Sequence, residues 1–353
     1  MAKVLMKGNE AIAEAAIHAG CKCFFGYPIT PQNQIPEYMS KRMPEVGGVF
    51  VQAESEISAI NMVYGAAGAG ARAMTSSSSP GISLKQEGIS YIACAQLPCL
   101  IVNMVRSGPG LGGIQPSQGD YFQATKGGGH GDYHLLTLAP SSVQEAVDMV
   151  SEGFDMADLY RIPVMILGDG MIGQMMEPAE FHEPKKRELP KKDWAATGWE
   201  DKSRARAIIN SLYIEPEEMS EICAQLKAKY DAIAANETRV EEYLCDDADY
   251  IIAAFGTTAR IAKSVAQTAR KNGLKVGVLR PITLWPFPTA AFKKAAEHVS
   301  GILTVEMNMG QMVEDVRLAV EGKVPTPFYG VQGGLIPQQK DIYAEILKMK
   351  EGC

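Results

Sequence analysis

Three side chains in this sequence could act together on a small anionic substrate: the hydroxyl of Thr30, the carboxylate of Glu56 and the guanidinium of Arg106. Thr30 lies in the run Phe25-Gly26-Tyr27-Pro28-Ile29-Thr30-Pro31. Pro28 and Pro31 fix φ and remove N–H donors, so this turn is stiff and its side chains are well placed. Thr30 either N-caps a helix over 32–43 or meets a ligand, and one turn can do both. Glu54 and Glu56 follow a short apolar strand and open a helix. A glutamate in a first helical turn normally just complements the dipole. Here a small-residue helix, 59–73, permits close packing behind it, and a buried carboxylate is suited to donating or sharing a proton near neutrality. Arg106-Ser-Gly-Pro-Gly-Leu-Gly-Gly113 ends an apolar strand. Its glycines let backbone approach a ligand, and Arg106 could clamp a carboxylate through two parallel bonds.

Other candidates surround this set. Thr75-Ser-Ser-Ser-Ser-Pro-Gly81 is a hydroxyl-rich turn ahead of a helix, resembling a cradle for phosphate or carboxylate. It lacks the lysine of a nucleoside triphosphate loop. Gln115-Pro-Ser-Gln-Gly-Asp-Tyr121 and Lys126-Gly-Gly-Gly-His-Gly-Asp132 form a long polar loop, of the length that is usually functional or disordered. His130 and Asp132 within it carry no assigned role. Seven cysteines are an odd number with no secreted-type framework, which favours reduced thiols in the cytoplasm. Their spacing fits neither zinc nor an iron–sulfur cluster, so no metal site is expected on this chain.

These groups must be held by a scaffold, and the pattern of the chain supplies one. A length of 353 residues suggests two domains. Apolar runs at 23–27, 49–52, 71–75, 100–105, 135–139 and 164–167 alternate with helical spacing at 9–19, 56–67, 82–95 and 142–159. Continuous apolar strands separated by helices imply an α/β domain with a parallel sheet covered on both faces. In such sheets ligands gather at the carboxyl ends of the strands, where Thr30, Glu56, the serine turn and Arg106 all fall. Asn9 is the expected N-cap of the first helix. Residues 178–245 read as a charged, Pro-containing linker, including 183–187 and 190–193, followed by a long polar helix over 215–243. A smaller α/β unit fills 246–353, with strands at 250–255, 276–279 and 302–305.

Net charge of −7 argues against nucleic acid or an anionic membrane surface as partner. The start of the chain has no signal-peptide core, and no apolar run reaches membrane-spanning length.

Taken together, Tyr27-Pro28-Ile29-Thr30-Pro31, Glu54-Ser-Glu-Ile57, Arg106-Ser-Gly-Pro-Gly-Leu-Gly112, Ile114-Gln-Pro-Ser-Gln-Gly-Asp120, Arg280-Pro-Ile-Thr-Leu-Trp-Pro-Phe-Pro288 and Glu306-Met-Asn-Met-Gly-Gln311 form an ordered set. It resembles the pyrimidine-binding, alpha-type subunit of the thiamine-diphosphate-dependent 2-oxoacid:ferredoxin oxidoreductases. The branched-chain member acting on 2-oxoisovalerate is the nearest match, and the 2-oxoglutarate member is the alternative. A non-catalytic nucleotide-binding protein is the reading from another class.

The resemblance implies a pyrimidine-domain fold over 1–177 and a transketolase C-terminal type of domain over 246–353. It also implies that Glu56 hydrogen-bonds N1′ of the coenzyme's aminopyrimidine, that Pro28 and Ile29 contact the coenzyme, and that Thr30 and Arg106 take the substrate carboxylate. Diphosphate and Mg²⁺ would be held by a beta subunit and iron–sulfur clusters by further subunits such as gamma. Ferredoxin would accept the electrons and coenzyme A the acyl group. Gly168-Asp169-Gly170 resembles the start of the magnesium–diphosphate motif but lacks its downstream Asn, the next being Asn210. It is therefore not expected to hold metal.

Overall fold

The computed structural model describes residues 3–182, 187–198, 202–203 and 205–352. Most of the charged run 183–187, together with Trp199 and Cys353, lies outside the described residues. In chain order the strands are β1 (Val4–Lys7), β2 (Cys23–Gly26), β3 (Val49–Gln52), β4 (Ala73–Ser77), β5 (Cys99–Val105), β6 (Leu136–Leu138), β7 (Pro163–Asp169) and β8 (Met176–Ala179). They continue with β9 (Val240–Tyr243), β10 (Tyr250–Ala253), β11 (Val276–Pro281), β12 (Thr283–Trp285), β13 (Gly301–Glu306) and β14 (Phe328–Gly330).

A seven-stranded sheet runs in the order β12-β6-β7-β5-β4-β2-β3. Every pairing in it is parallel except β12 with β6. Its centre, β5 and β7, is buried along the full length of both strands. That burial explains why each reads as an unbroken apolar run: helices cover both faces and leave no side for polar residues. A five-stranded sheet follows in the order β14-β13-β10-β11-β9, parallel except at β9. The fold is thus α/β throughout, as expected.

Several local expectations change. The helix expected over 215–243 spans Pro216–Glu237, and Val240–Tyr243 turns back as β9 along the edge of β11. Val and Tyr suit a pleated edge, and the unpaired edge of β11 outweighs helical spacing there. Residues 190–198 do not hang free between units. Lys192 Nζ donates to the Gly70 carbonyl at 3.1 Å and pairs with Asp158 at 2.6 Å, and Arg161 stacks 4.5 Å over the Trp194 ring. β12, from the motif at 280–288, leaves its own unit to pair with β6. Arg280, 2% exposed, bonds Glu241 at 2.6 Å and Glu145 at 2.8 Å, tying both units together.

The loop over 115–132 is ordered at its first half by the same junction. Gln118 Nε2 donates to the Phe255 carbonyl at 2.8 Å, and Gln118 Oε1 accepts from Met307 N at 3.0 Å. Tyr121 donates its hydroxyl to Asp315 at 2.6 Å. Glu306 accepts from the backbone N–H groups of Gln311, Met312 and Val313, capping the helix Met312–Val320. His130 and Asp132 are exposed.

Candidate functional site

The strands β5, β4, β2 and β3 are neighbours and run the same way, so their carboxyl ends form one edge. Each delivers a piece of the candidate site to it. After β2 comes the turn with Pro28, Ile29 and Thr30; after β3, Glu56; after β4, the serine turn; after β5, Arg106.

Glu56 opens the helix Glu56–Gly68, whose N-cap is Ser55, accepting from Ser58 N at 3.2 Å. Glu56 is buried at 6% exposure, whereas Glu54 points into solvent. Burial is possible because the facing helix, Ser79–Cys94, presents glycines. A Cβ at Gly81 would lie 2.6 Å from Glu56 Oε1 and 2.1 Å from Ser77 Oγ. One at Gly88 would lie 2.5 Å from the Ile60 side chain. The close helix packing expected from small residues is therefore present, with the glycines on the opposite helix.

Arg106 is likewise buried, at 7% exposure. Its Nη1 donates to the Thr30 carbonyl at 3.1 Å and its Nη2 to the Leu111 carbonyl at 2.8 Å. The arginine thus braces two loops and brings Thr30 to its side. Its backbone N–H donates to Ser79 Oγ at 3.1 Å, linking it to the serine turn. Thr30 does not cap the next helix, which spans Gln34–Glu45 with Asn33 as N-cap. Instead Thr30 Oγ1 accepts from Asn33 Nδ2 at 3.2 Å, which leaves the threonine proton free to point at a ligand. Asn9 is not a cap either. It lies inside the helix Gly8–His18 and donates to the Pro31 carbonyl and Gln34 Oε1, both at 2.8 Å, pinning the Pro28–Pro31 turn from behind.

Other contributors went unremarked in the sequence. Gln32 is buried and accepts from Ser76 Oγ at 2.6 Å. Lys85 is fully buried and donates to the Ser76 carbonyl at 3.0 Å. Burial pushes its ammonium down to about 7, while the Glu56 carboxylate pulls the other way. The available signal was a lysine flanked by Gly81 and Gly88 at i−4 and i+3, since a long charged side chain between two glycines on one helical face is unusual.

Asp169 does other work. Its Oδ1 accepts from Met171 N, Ile172 N and the Thr257 hydroxyl at 2.9, 3.1 and 2.9 Å, and its Oδ2 from Thr257 N at 3.3 Å, capping a short helix and joining the second unit.

Buried polar groups are normally partnered. Here Thr75 Oγ1, Ser77 Oγ, Ser78 Oγ and Arg106 Nε are buried without a partner among the described residues. All lie at or next to the edge that carries Glu56. A donor set that a polar or anionic ligand would complete, with a glycine-lined approach to a buried carboxylate, fits an aminopyrimidine coenzyme and a 2-oxoacid.

Residues 14–242 match the family described as pyruvate flavodoxin/ferredoxin oxidoreductase, thiamine diphosphate-binding. The chain belongs to that family. Residues 248–342 match pyruvate:ferredoxin oxidoreductase core domain II. Ketoisovalerate oxidoreductase subunit VorB of Methanothermobacter thermautotrophicus is 48% identical over 98% of this chain and 97% of its own length. The 2-oxoglutarate synthase subunit KorA of the same organism is 36% identical, with 98% of each covered. Among solved structures, 2-oxoglutarate:ferredoxin oxidoreductase from Magnetococcus marinus superposes with a TM-score of 0.87 at 26% identity. The match covers 98% of this chain and 65% of that one. A split-gene transketolase matches at TM-score 0.60 and 14% identity over 98% of both chains, a likeness of fold alone.

The chain is an alpha-type oxidoreductase subunit of the thiamine-diphosphate-dependent 2-oxoacid class, as the sequence resemblance implied. Both relatives are themselves named as subunits. Among the described residues no helix is long and apolar enough to cross a membrane.

Proposed function

We propose that this chain supplies the pyrimidine-binding half of a 2-oxoisovalerate:ferredoxin oxidoreductase, which converts its substrate to CO2 and an acyl-CoA while reducing ferredoxin. The observation that carries the reading is the convergence of buried Glu56 and Arg106 with Thr30 on one sheet edge, beside hydroxyls that have no partner. Bound thiamine diphosphate supplies a carbon nucleophile and an electron sink for a 2-oxoacid.

The residues of this chain do the rest of the local work. Glu56, sealed from water by Gly81, holds a proton at N1′ of the aminopyrimidine. Pro28 and Ile29 form a fixed wall beside the ring. Thr30 donates its free proton, and Arg106 its Nε–H, to the substrate carboxylate, and the brace to Leu111 keeps the guanidinium from turning away. The diphosphate and Mg²⁺ are held by a beta subunit, because Gly168-Asp169-Gly170 lacks the downstream Asn of the metal motif and both Asp169 oxygens accept hydrogen bonds within this chain. Iron–sulfur clusters lie on further subunits, including gamma, and the complex is cytoplasmic.

The choice of 2-oxoisovalerate is supported by the identity to the ketoisovalerate subunit. The alternative, 2-oxoglutarate, is supported by the more distant KorA relatives. One experiment tests both points: the reconstituted complex is assayed with each acid and viologen, as wild type and as Glu56→Gln. Faster turnover of 2-oxoisovalerate and a loss of at least ~100-fold in the variant are expected. A variant with wild-type rates would overturn the role of Glu56, and a preference for 2-oxoglutarate would overturn the substrate.

A further inference from the structure

Lys85 is a buried charge whose place the fold does not explain. It is fully buried, yet among the described residues its ammonium makes one hydrogen bond, to the Ser76 carbonyl at 3.0 Å, where three donors are available. Buried lysines are rare unless paired. The partner is legible from helix geometry. Gly81, Lys85 and Gly88 fall on one face of the helix Ser79–Cys94. Gly81 abuts the Glu56 side chain and Gly88 abuts Ile60, which lie one turn apart on the facing helix. Lys85 therefore lies between the two contacts, on the face turned toward the helix that Glu56 opens. From the adjoining strand β4 come only neutral groups, the Ser76 carbonyl and the Ser77 hydroxyl. Among the described residues Glu56 is the carboxylate that acts on the ammonium, through space and against the effect of burial.

We propose that Lys85 is a positioning residue for Glu56: its buried ammonium keeps the carboxylate ionised and aimed at the coenzyme ring, so that ring and carboxylate share one proton rather than two. The inference rests on the role given to Glu56 above. The lysine touches neither coenzyme nor substrate. Its charge opposes a second proton on the Glu56–ring pair, and the Ser76 bond fixes where that charge sits. A glutamate facing only a hydrophobic helix would take up that second proton too readily, and the pair would lose its ability to pass one on.

The test uses the assembled complex with thiamine diphosphate, as wild type, Lys85→Met and Lys85→Gln. Gln keeps a donor for the Ser76 carbonyl without the charge, and it also serves if the Met variant fails to assemble. Two quantities are followed against pH: hydrogen–deuterium exchange at C2 of the bound coenzyme without substrate, and the coenzyme dissociation constant by calorimetry. The acid limb of exchange, where Lys85 is charged, is expected to move up by about one pH unit in both variants. The dissociation constant is expected to acquire the same displaced pH dependence. Unmoved acid limbs would overturn the proposal, as would a limb displaced in Met and retained in Gln, which would assign the effect to the hydrogen bond. Glu56→Gln serves as the reference. If it leaves exchange at the wild-type rate, the reading of Glu56 itself fails; if it abolishes exchange while both Lys85 variants behave as wild type, only the role of Lys85 fails.

Discussion

Gly81→Ala is the smallest change that should separate chemistry from stability at this site. The added Cβ would stand 2.6 Å from Glu56 Oε1, 3.0 Å from its Cγ and 2.1 Å from Ser77 Oγ. No carbon–oxygen contact survives at those distances, so both side chains must retreat by several tenths of an ångström or more. Both are the ends of rotatable chains, and retreat is cheap for the fold. The strain, on the scale of about 1 kcal/mol for mild overpacking, is set against about 1 kcal/mol gained by replacing glycine within a helix. The melting temperature of the complex should therefore change little. The reaction has no such slack. Displacing a proton-sharing group by about 1 Å can cost ~100-fold, close to 2.7 kcal/mol in the barrier.

The measurement pairs kcat/KM for 2-oxoisovalerate with a thermal melt on the same preparation. Ser77→Ala/Gly81→Ala supplies a control that removes the serine conflict and leaves the one with Glu56, so it should remain as impaired as the single variant. Activity within twofold of wild type, at an unchanged melting temperature, would show that the place of Glu56 beside Gly81 has no bearing on turnover. Recovery in the double variant would shift the blame to the serine.

Two further expectations concern the neighbours. Arg106→Lys removes a planar fork that holds the Thr30 and Leu111 carbonyls while offering Nε to a carboxylate; KM for the oxoacid should rise about tenfold or more with coenzyme affinity kept, and unchanged KM would refute the assignment. Lys85 should make stability depend on pH: burial lowers its ammonium from 10.5 to about 7, so the native state sheds that proton first. Stability from this group is complete above the unfolded value and is lost as pH falls through the folded one, an upper limit near 5 kcal/mol. Lys85→Met should thus melt higher than wild type at neutral pH, with the gap closing as pH rises; a gap constant with pH would contradict the burial argument.

The sheet was legible because its strands are buried on both faces and announce themselves as apolar runs, and the carboxyl-edge rule then gathered Thr30, Glu56 and Arg106 without any contact being known. What escaped notice depended on partners distant in sequence. Val240–Tyr243 continues a helical stripe until the open edge of β11 captures it as a strand. Asn9 looks like a cap until Pro31 and Gln34, over twenty residues away, claim its amide. The serines at 76–79 read as part of a turn, although Ser76 and Ser77 belong to a buried strand. Lys85 shows the same principle most clearly. Nothing local explains a lysine among Ile82, Gly88 and Ile89, and propensity would place it on the solvent face. Two glycines bring the facing helix, which carries Glu56 from a different strand–helix unit, close enough to bury Lys85. A lysine with one hydrogen bond, in a place where an apolar side chain would be more stable, is hard to account for by folding alone. Its retention there makes sense if the charge acts on Glu56, the group this edge is built to present.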